Sequence, residues 1–299
     1  MTLLHNWVAW TLLAASMQSV RTAGQKYLTG QITPLAATMV RYLYGLPFAL
    51  AYLGMVAMSR DFALPPLNPI FLGCAFLAGI LQIIATVLLV HLFTMRNFAV
   101  GSTYARTEVM LTAILGFVFF GEAITPLGWA AVIVCVAGVL LINLSRTGGP
   151  AGMWNRSATF GLGAGLAFSL TSLLIRKASR SFGIDDSMLT AAMTLAYMVV
   201  WQTVITVAWI AIQERDQFAR ALALWRPSTF VGITSVIGSA GWFTAFTLEF
   251  ASYVKTLGQI EFLITLFIGW FYFRERPTRL EFAGMVLIVA AVVALLAGH

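Results

Sequence analysis

One segment of this chain occurs twice, and each copy places a glutamate inside a long apolar stretch. Residues 103–127 recur, with substitutions, at residues 256–280. The matching residues of the first copy are Thr103, Glu108, Thr112, Gly116, Phe120, Glu122, Thr125 and Leu127, and those of the second are Thr256, Glu261, Thr265, Gly269, Phe273, Glu275, Thr278 and Leu280. In a membrane chain, an internal repeat predicts a pseudo-symmetric bundle with a site between its halves.

The composition is that of an integral membrane protein. The chain is 60% hydrophobic and only 10% charged, whereas soluble domains carry about 25% charged residues. A helical span takes about 20 residues, so 299 residues leave room for roughly ten spans. The net charge of +7 comes mostly from arginines in short loops, which is typical beside anionic lipid. We therefore expect the lipid bilayer as a partner and no nucleic acid.

Hydropathy and helix breakers predict an all-α membrane protein with ten transmembrane helices. The predicted spans are residues 4–25, 34–58, 69–93, 98–120, 126–145, 158–178, 187–212, 227–249, 252–273 and 279–297. Each half of the chain has five predicted spans. Because five is an odd number, the second half must cross the membrane in the opposite sense to the first. We expect two inverted five-helix repeats, residues 1–147 and 148–299, around a central cavity.

Local signals mark several helix boundaries. Thr125 and Pro126 predict a helix start, with threonine as N-cap and proline at the first helical position. Thr278 and Glu281 have the spacing of a capping box. The repeated Glu-x-x-Thr is therefore interpreted as a turn between two helices. Residues 214–226 predict a short amphipathic helix at the membrane interface, or else a plain polar linker.

Glu108 and Glu261 are the acids that fall in the middle of predicted spans. A carboxylate at the bilayer centre costs roughly 3 kcal/mol on insertion scales, so it marks a functional site by default. Each has a threonine four residues later, Thr112 and Thr265, on the same helix face. Buried charges are normally paired, so we expect at least one arginine or lysine beside each glutamate.

These acids and the polar residues near them form the candidate site. The predicted substrate-binding residues are Glu108, Glu261, Tyr104, Arg106, Lys255, Gln259, Arg41, Gln82 and Trp242. Glu108 and Glu261 are also candidates for proton coupling, because intramembrane carboxylates often serve as proton relays. Other polar residues of the spans, such as Gln18 and Ser239, are weaker candidates, since hydroxyls in helices often bond their own backbone.

Two segments of the repeat have a distinctive pattern. The first is Phe-Phe-Gly-Glu-Ala-Ile-Thr-Pro at 119–126 with the apolar run 128–141, and the second is Arg-Glu-Arg-Pro-Thr at 274–278 with 281–290. Both resemble the EamA domain of the drug/metabolite transporter superfamily. Residues 37–42, which contain Arg41, resemble the second helix of that domain. The resemblance implies ten helices, a central cavity and alternating access. The chain departs from many family members in lacking a proline beside Glu108 and Glu261, and in having Ala196 where a second copy of Arg41 would fall.

Two signals in the sequence predict opposite orientations of the chain in the membrane. The loop arginines and lysines lie mostly on the side opposite the termini, so the positive-inside rule places both termini outside. The family resemblance implies cytoplasmic termini. Both signals agree with a multi-pass protein of the inner membrane.

The sequence favours a secondary transporter of a small polar metabolite. Two acids among several cations suit an amino acid or similar zwitterion, moved by alternating access with proton coupling or exchange. One alternative is an exporter of lipophilic or quaternary cations. Another is a non-transporting scaffold or enzyme in which Glu108 and Glu261 form structural salt bridges. No catalytic motif, metal-ligand spacing or nucleotide-binding loop is present, so we expect no enzyme activity, metal or cofactor. Nothing in the sequence specifies an oligomeric state.

Overall fold

The computed structural model describes residues 6–61, 64–95, 104–147, 156–261 and 278–298, and in these residues the regular structure is entirely α-helical. The helices are α1 (Trp7–Leu28), α2 (Pro34–Leu43), α3 (Leu46–Met58), α4 (Pro69–Leu92), α5 (Glu108–Phe119), α6 (Pro126–Thr147), α7 (Arg156–Arg180), α8 (Ser187–Gln213), α9 (Arg215–Ala223), α10 (Trp225–Leu248), α11 (Ala251–Gly258) and α12 (Arg279–Ala297).

Six segments of the described chain are long and apolar enough to cross a bilayer. They are Pro34–Met58, Pro69–Leu92, Arg156–Arg180, Ser187–Gln213, Trp225–Leu248 and Arg279–Ala297, and Glu108–Phe119 and Pro126–Ile142 are shorter apolar helices. This pattern confirms an all-α, multi-pass membrane protein. The count of ten spans stays a prediction.

The predicted span 34–58 is broken into α2 and α3 at Tyr44 and Gly45. Pro47 lies in the first turn of α3. Proline has no amide hydrogen, and its ring clashes with the carbonyl four residues earlier, here that of Leu43. A helix continuing through residues 43–47 is thereby disfavoured, although the predicted outer limits of the segment are correct.

The predicted spans 98–120 and 252–273 are also interrupted, and at equivalent places. Turns occur at Arg106 and Thr107 in the first segment and at Gln259 in the second. Glu108 is therefore the first residue of α5, and Glu261 lies just beyond the end of α11. The prediction that both glutamates lie in the middle of unbroken helices was therefore wrong, because each segment is interrupted just before its glutamate. Residues 98–103 and 262–273 lie outside the described parts.

Local capping sets several boundaries as the sequence predicts. The amide of Gly128 donates to the hydroxyl of Thr125 at 3.0 Å at the start of α6. Thr278 and Glu281 form the reciprocal capping box at the start of α12. The amphipathic helix predicted within residues 214–226 is present as α9.

The helices pack in pairs that join early and late parts of the chain. α1 lies along α10, α4 along α7, and α6 along α12. The most apolar stretch of α10 is 83% buried, so this helix lies at the centre of the bundle. Large apolar side chains remain exposed on the peripheral helices, among them Phe117, Val204, Trp209 and Val293. An exposed apolar rim around a polar interior is expected of a protein surrounded by lipid.

Candidate functional site

A small cavity lies inside the bundle, between α1, α2, α4, α7, α10 and α11. It offers about 30 Å³ of space, enough for roughly two water molecules. Its walls are formed by Gln18, Arg21, Arg41, Gln82, Phe168, Thr171, Ser172, Ile175, Ser239, Trp242, Phe243, Phe246 and Lys255. Three of these residues are basic and none is acidic, so positive charge predominates on the cavity wall.

Glu108 and Lys255 form a buried ion pair beside this cavity. The Nζ of Lys255 lies 3.4 Å from Oε2 of Glu108, and both side chains are about nine-tenths buried. Glu108 is the first residue of α5, where the helix dipole favours a negative charge. The pair links the two copies of the repeat, because Glu108 lies in the first copy and Lys255 directly precedes the second copy, which begins at residue 256.

Arg106 and Glu261 form a second ion pair between the same two segments. The two terminal nitrogens of Arg106 lie 3.3 and 3.4 Å from the two carboxylate oxygens of Glu261, which is a bidentate arrangement. The side-chain amide of Gln18 also donates to Glu261 at 3.1 Å, while its carbonyl accepts from the indole nitrogen of Trp242 at 3.0 Å. Gln18 therefore connects the second ion pair to the cavity wall.

The Lys255 ammonium is surrounded by aromatic rings as well as by its carboxylate. It lies 5.1 Å from the ring centre of Trp242, 5.6 Å from Phe246 and 5.8 Å from Phe168. Trp242 and Phe246 are one turn apart on α10 and stack with their ring centres 5.6 Å apart. Each ring face attracts a cation, so the three rings stabilise positive charge at this point. These three rings are called the aromatic cage below.

Arg41 and Arg21 line the cavity, and among the described residues neither forms a salt bridge with a carboxylate. Arg41 donates to the hydroxyls of Thr86 at 3.0 Å and Ser239 at 3.5 Å. Arg21 is 5% exposed, and its Nε has no hydrogen-bond partner among the described residues. Buried guanidinium groups normally require an anion. The two guanidinium groups therefore add positive charge to the cavity wall.

A wider vestibule of about 590 Å³ opens at the end of the bundle where α5, α7 and α10 terminate. Glu122 lies at its base, 2% exposed, and accepts hydrogen bonds from the backbone amides of Ala251 at 2.7 Å and Ser252 at 3.2 Å. Arg176 lies 3.9 Å from the same carboxylate. Glu122 therefore caps the start of α11 and holds it against α5 and α7.

Most of the predicted site residues come together here. Arg41, Gln82, Trp242 and Lys255 line the cavity, while Glu108, Arg106 and Glu261 form the ion pairs behind it. The expected cationic partner of each glutamate is present.

Three predicted residues occupy other places. Tyr104 and Gln259 are not among the residues that line the cavity. Gln259 bonds the carbonyl of Lys255, one turn back, at 3.4 Å. Thr112 donates to the backbone carbonyl of Glu108 at 2.6 Å and contacts Ser169, because its hydroxyl is within reach of the preceding turn. It therefore does not face the cavity, and Thr265 lies outside the described residues.

Sequence reasoning missed Arg21 and underestimated Gln18 and Glu122. Arg21 lies near the end of the predicted first span and was counted among the loop cations. In the structure α1 continues to Leu28, so Arg21 lies within the helix. Gln18, Arg21 and Gln25 are spaced at i, i+3 and i+7, so a polar helix face was the available signal. Glu122 was interpreted as part of a turn, and only its contacts with α11 reveal a connecting role.

The fold and the site together define a polytopic helical membrane protein with a small internal cavity lined by charged residues. The family model of the EamA-like transporter family matches the chain twice, over residues 5–144 and 155–297. Since these matches cover most of the chain, the protein belongs to the EamA-like transporter family. This is a family of transporters and not of enzymes.

Other comparisons concern the fold alone. A solved crystal structure of another protein matches 96% of this chain and 95% of its own, with a TM-score of 0.69 and 15% sequence identity. No curated protein matches the chain.

Proposed function

We propose that the protein is a secondary transporter that moves a small carboxylate-bearing metabolite, an amino acid or similar zwitterion, across the inner membrane. The observation that carries this proposal is the position of Arg21 and Arg41 on the cavity wall, where neither forms a salt bridge with a carboxylate of the described chain. Arginine presents paired donors that match the geometry of a carboxylate. A substrate carboxylate would supply the missing negative charge.

The charge balance of the whole network supports the same substrate class. Its basic groups are Arg21, Arg41, Arg106 and Lys255, and its acidic groups are Glu108 and Glu261. The two acids are each engaged by a cation, which leaves two positive charges in excess. A simple cation entering this cavity would add to that excess, whereas a carboxylate reduces it.

Alternating access of two inverted halves is the mechanism we propose. Three contacts show how the two segments lie side by side: residue 106 with 261, residue 108 with 255, and residue 122 with 251. As the number rises in the first segment it falls in the second, so the two segments are antiparallel. The helix packing supports the same mechanism, because α1 packs against α10 and α4 packs against α7. In inverted halves α1 would be equivalent to α7 and α4 to α10, so the two pairs would be related by the pseudo-symmetry.

Glu108 and Glu261 have a proposed role in coupling. Each lies at a helix interruption, and interrupted helices commonly form the ion and substrate sites of secondary transporters. Exchange of one substrate for another and cotransport of protons are both compatible with these carboxylates. If either glutamate carries protons, Glu108→Gln or Glu261→Gln removes the pH dependence of flux in a folded protein.

Purified protein in liposomes tests the proposal. Vesicles loaded with a pool of unlabelled amino acids and small carboxylates should take up labelled members of the pool by counterflow. We expect Arg41→Gln and Arg21→Gln to reduce this uptake at least about tenfold, through loss of a charge-assisted carboxylate contact. Arg220→Gln serves as the control, because Arg220 is exposed on α9 away from the cavity.

The two alternative functions give different results in the same vesicles. An exporter of lipophilic or quaternary cations would retain cation flux when Arg41 or Lys255 is neutralised. A scaffold whose glutamates form structural salt bridges would show no flux with any solute. Uptake unaffected by both arginine substitutions would contradict the proposed role of the cavity.

A further inference from the structure

Lys255 occupies the point of the cavity where a substrate ammonium group would be expected to bind. Its Nζ lies within 6 Å of all three rings of the aromatic cage and 3.4 Å from the Glu108 carboxylate. Ring faces combined with a carboxylate are the groups by which proteins recognise alkylammonium ions. The protein's own side chain thus fills a subsite built for a cation.

Lys255 also separates Glu108 from the cavity. Among the described residues Lys255 is part of the cavity wall, whereas Glu108 is not. The distance of 3.4 Å between Nζ and Oε2 exceeds the roughly 2.7–2.9 Å of a strong charge-assisted hydrogen bond. Removal of Lys255 from the cage would therefore present a carboxylate and three aromatic rings to whatever occupies the cavity.

We propose that Lys255 is a tethered substitute for the substrate ammonium group, and that substrate binding opens the Glu108–Lys255 ion pair. This inference rests on the proposed transport function. In the empty carrier, the lysine neutralises Glu108 and occupies the aromatic cage. When substrate binds, its ammonium group replaces Lys255 at Glu108, and its carboxylate is held by Lys255 together with Arg41 and Arg21.

Charge balance would then determine which solutes the site selects. Opening a buried ion pair leaves two uncompensated charges, which is strongly unfavourable. A simple amine would compensate Glu108 but leave Lys255 unpaired, and a simple carboxylate would do the reverse. Only a solute that carries both charges close together compensates both residues. The site therefore selects zwitterions over either kind of single ion.

A quaternary ammonium ion tests the cation subsite without any need for transport. Tetramethylammonium chloride is the probe, and its binding to purified protein is measured by calorimetry. Lys255→Met removes the ammonium group from the cage and leaves Glu108 without its cation, so this variant should bind the probe at least about tenfold more tightly than the unsubstituted protein. Lys255→Arg retains a tethered cation and should show no gain.

The double variant Glu108→Gln with Lys255→Met is the matched control. It has the same cage without an ammonium group and also lacks the carboxylate, so its affinity for the probe should fall back at least about tenfold. Equal affinity of the Lys255→Met variant and the unsubstituted protein would overturn the inference. So would equal affinity of the single and double variants, because the carboxylate would then take no part.

Folding of the single variant is itself informative. If Lys255→Met is recovered only when tetramethylammonium is present during purification, the probe is replacing the lysine and the inference is supported. If it is not recovered with or without the probe, while the neutral double variant folds, the inference is overturned. Carboxylate flux tests the proposed function separately, so probe binding without flux would refute the transport function and retain the ammonium subsite.

Discussion

Glu108 and Glu261 hold equivalent positions in the repeated segment, and each is paired with a cation from the other half of the chain. Glu108 is bound by Lys255, and Glu261 is bound by Arg106. The cations are not equivalent to each other, since the repeat places Gln259 opposite Arg106. The repeat therefore supplies two similar carboxylates, while their partners have diverged. One pair lies directly on the cavity through Lys255, and the other reaches it through Gln18.

Removal of Arg106 should destabilise the fold, and removal of its partner should reverse the effect. Arg106→Met removes the bidentate ion pair of Glu261 and keeps its hydrogen bond from Gln18, so we expect a loss of about 2–4 kcal/mol. In the double variant with Glu261→Gln neither charge of this pair remains, so most of the stability should return. Thermal unfolding in detergent measures both. Strictly additive losses would show that the two side chains are not coupled.

Gln18 should stabilise the site by holding Glu261 and Trp242 together. Gln18→Leu leaves the indole N–H of Trp242 without its acceptor and Glu261 with one donor fewer, at a cost of about 1–3 kcal/mol. Ser16→Ala on the same helix is the control, because the hydroxyl of Ser16 donates to the carbonyl of Leu12 one turn back in α1. Its stability should change by less than about 0.5 kcal/mol. The same thermal shift in both variants would argue against the bridge.

Gly284 should be intolerant of a side chain because α12 and α6 approach closely there. A Cβ at Gly284 would lie 2.5 Å from the carbonyl oxygen of Gly138 and 2.6 Å from Cγ1 of Ile142. We expect Gly284→Ala to destabilise the protein by about 1–3 kcal/mol, as overpacking generally does. Gly73→Ala in α4 is the control, since a Cβ there meets no atom within 4 Å. It should be neutral or slightly stabilising, because alanine favours helix formation.

Outside the spans, Asp186 should make stability fall at acidic pH. Asp186 accepts from the backbone amide of Leu189 at 3.0 Å and from Arg60 at 3.1 Å. Burial by itself would raise the pKa of this carboxyl, but the hydrogen bonds from Arg60 and the backbone lower it overall. Its charge therefore stabilises the folded state above the unfolded pKa of about 4, and the contribution disappears as the pH falls through the lower folded-state pKa.

Asp186→Asn isolates this charge, because asparagine caps a helix about as well as aspartate. At pH 7 the variant should melt at a lower temperature than the unsubstituted protein. The difference should shrink once the pH drops below about 4, where the carboxyl of the unfolded chain is already protonated. A difference in melting temperature that stays constant between pH 7 and pH 3 would exclude an electrostatic contribution.

The sequence by itself determined the membrane class, most helix boundaries and the identity of the central acids. These features depend on local chemistry: apolar runs of span length, the N-cap at Thr125, the capping box at Thr278, and glutamates too costly to leave in lipid. The breaks near Tyr44 and Glu108 were harder to predict. Several helix starts are compatible with the same residues, and neighbouring helices decide among them.

Only the tertiary structure decided which charges meet and which line the cavity. Lys255 reaches Glu108 across almost half the chain, and Arg21 becomes a wall residue because α1 lies along α10. Helical periodicity gives the face on which a residue lies, but it does not give the helix that will cover that face. Pairing of charges is set by distances of 3–4 Å between distant segments, and those distances exist only after the bundle has packed.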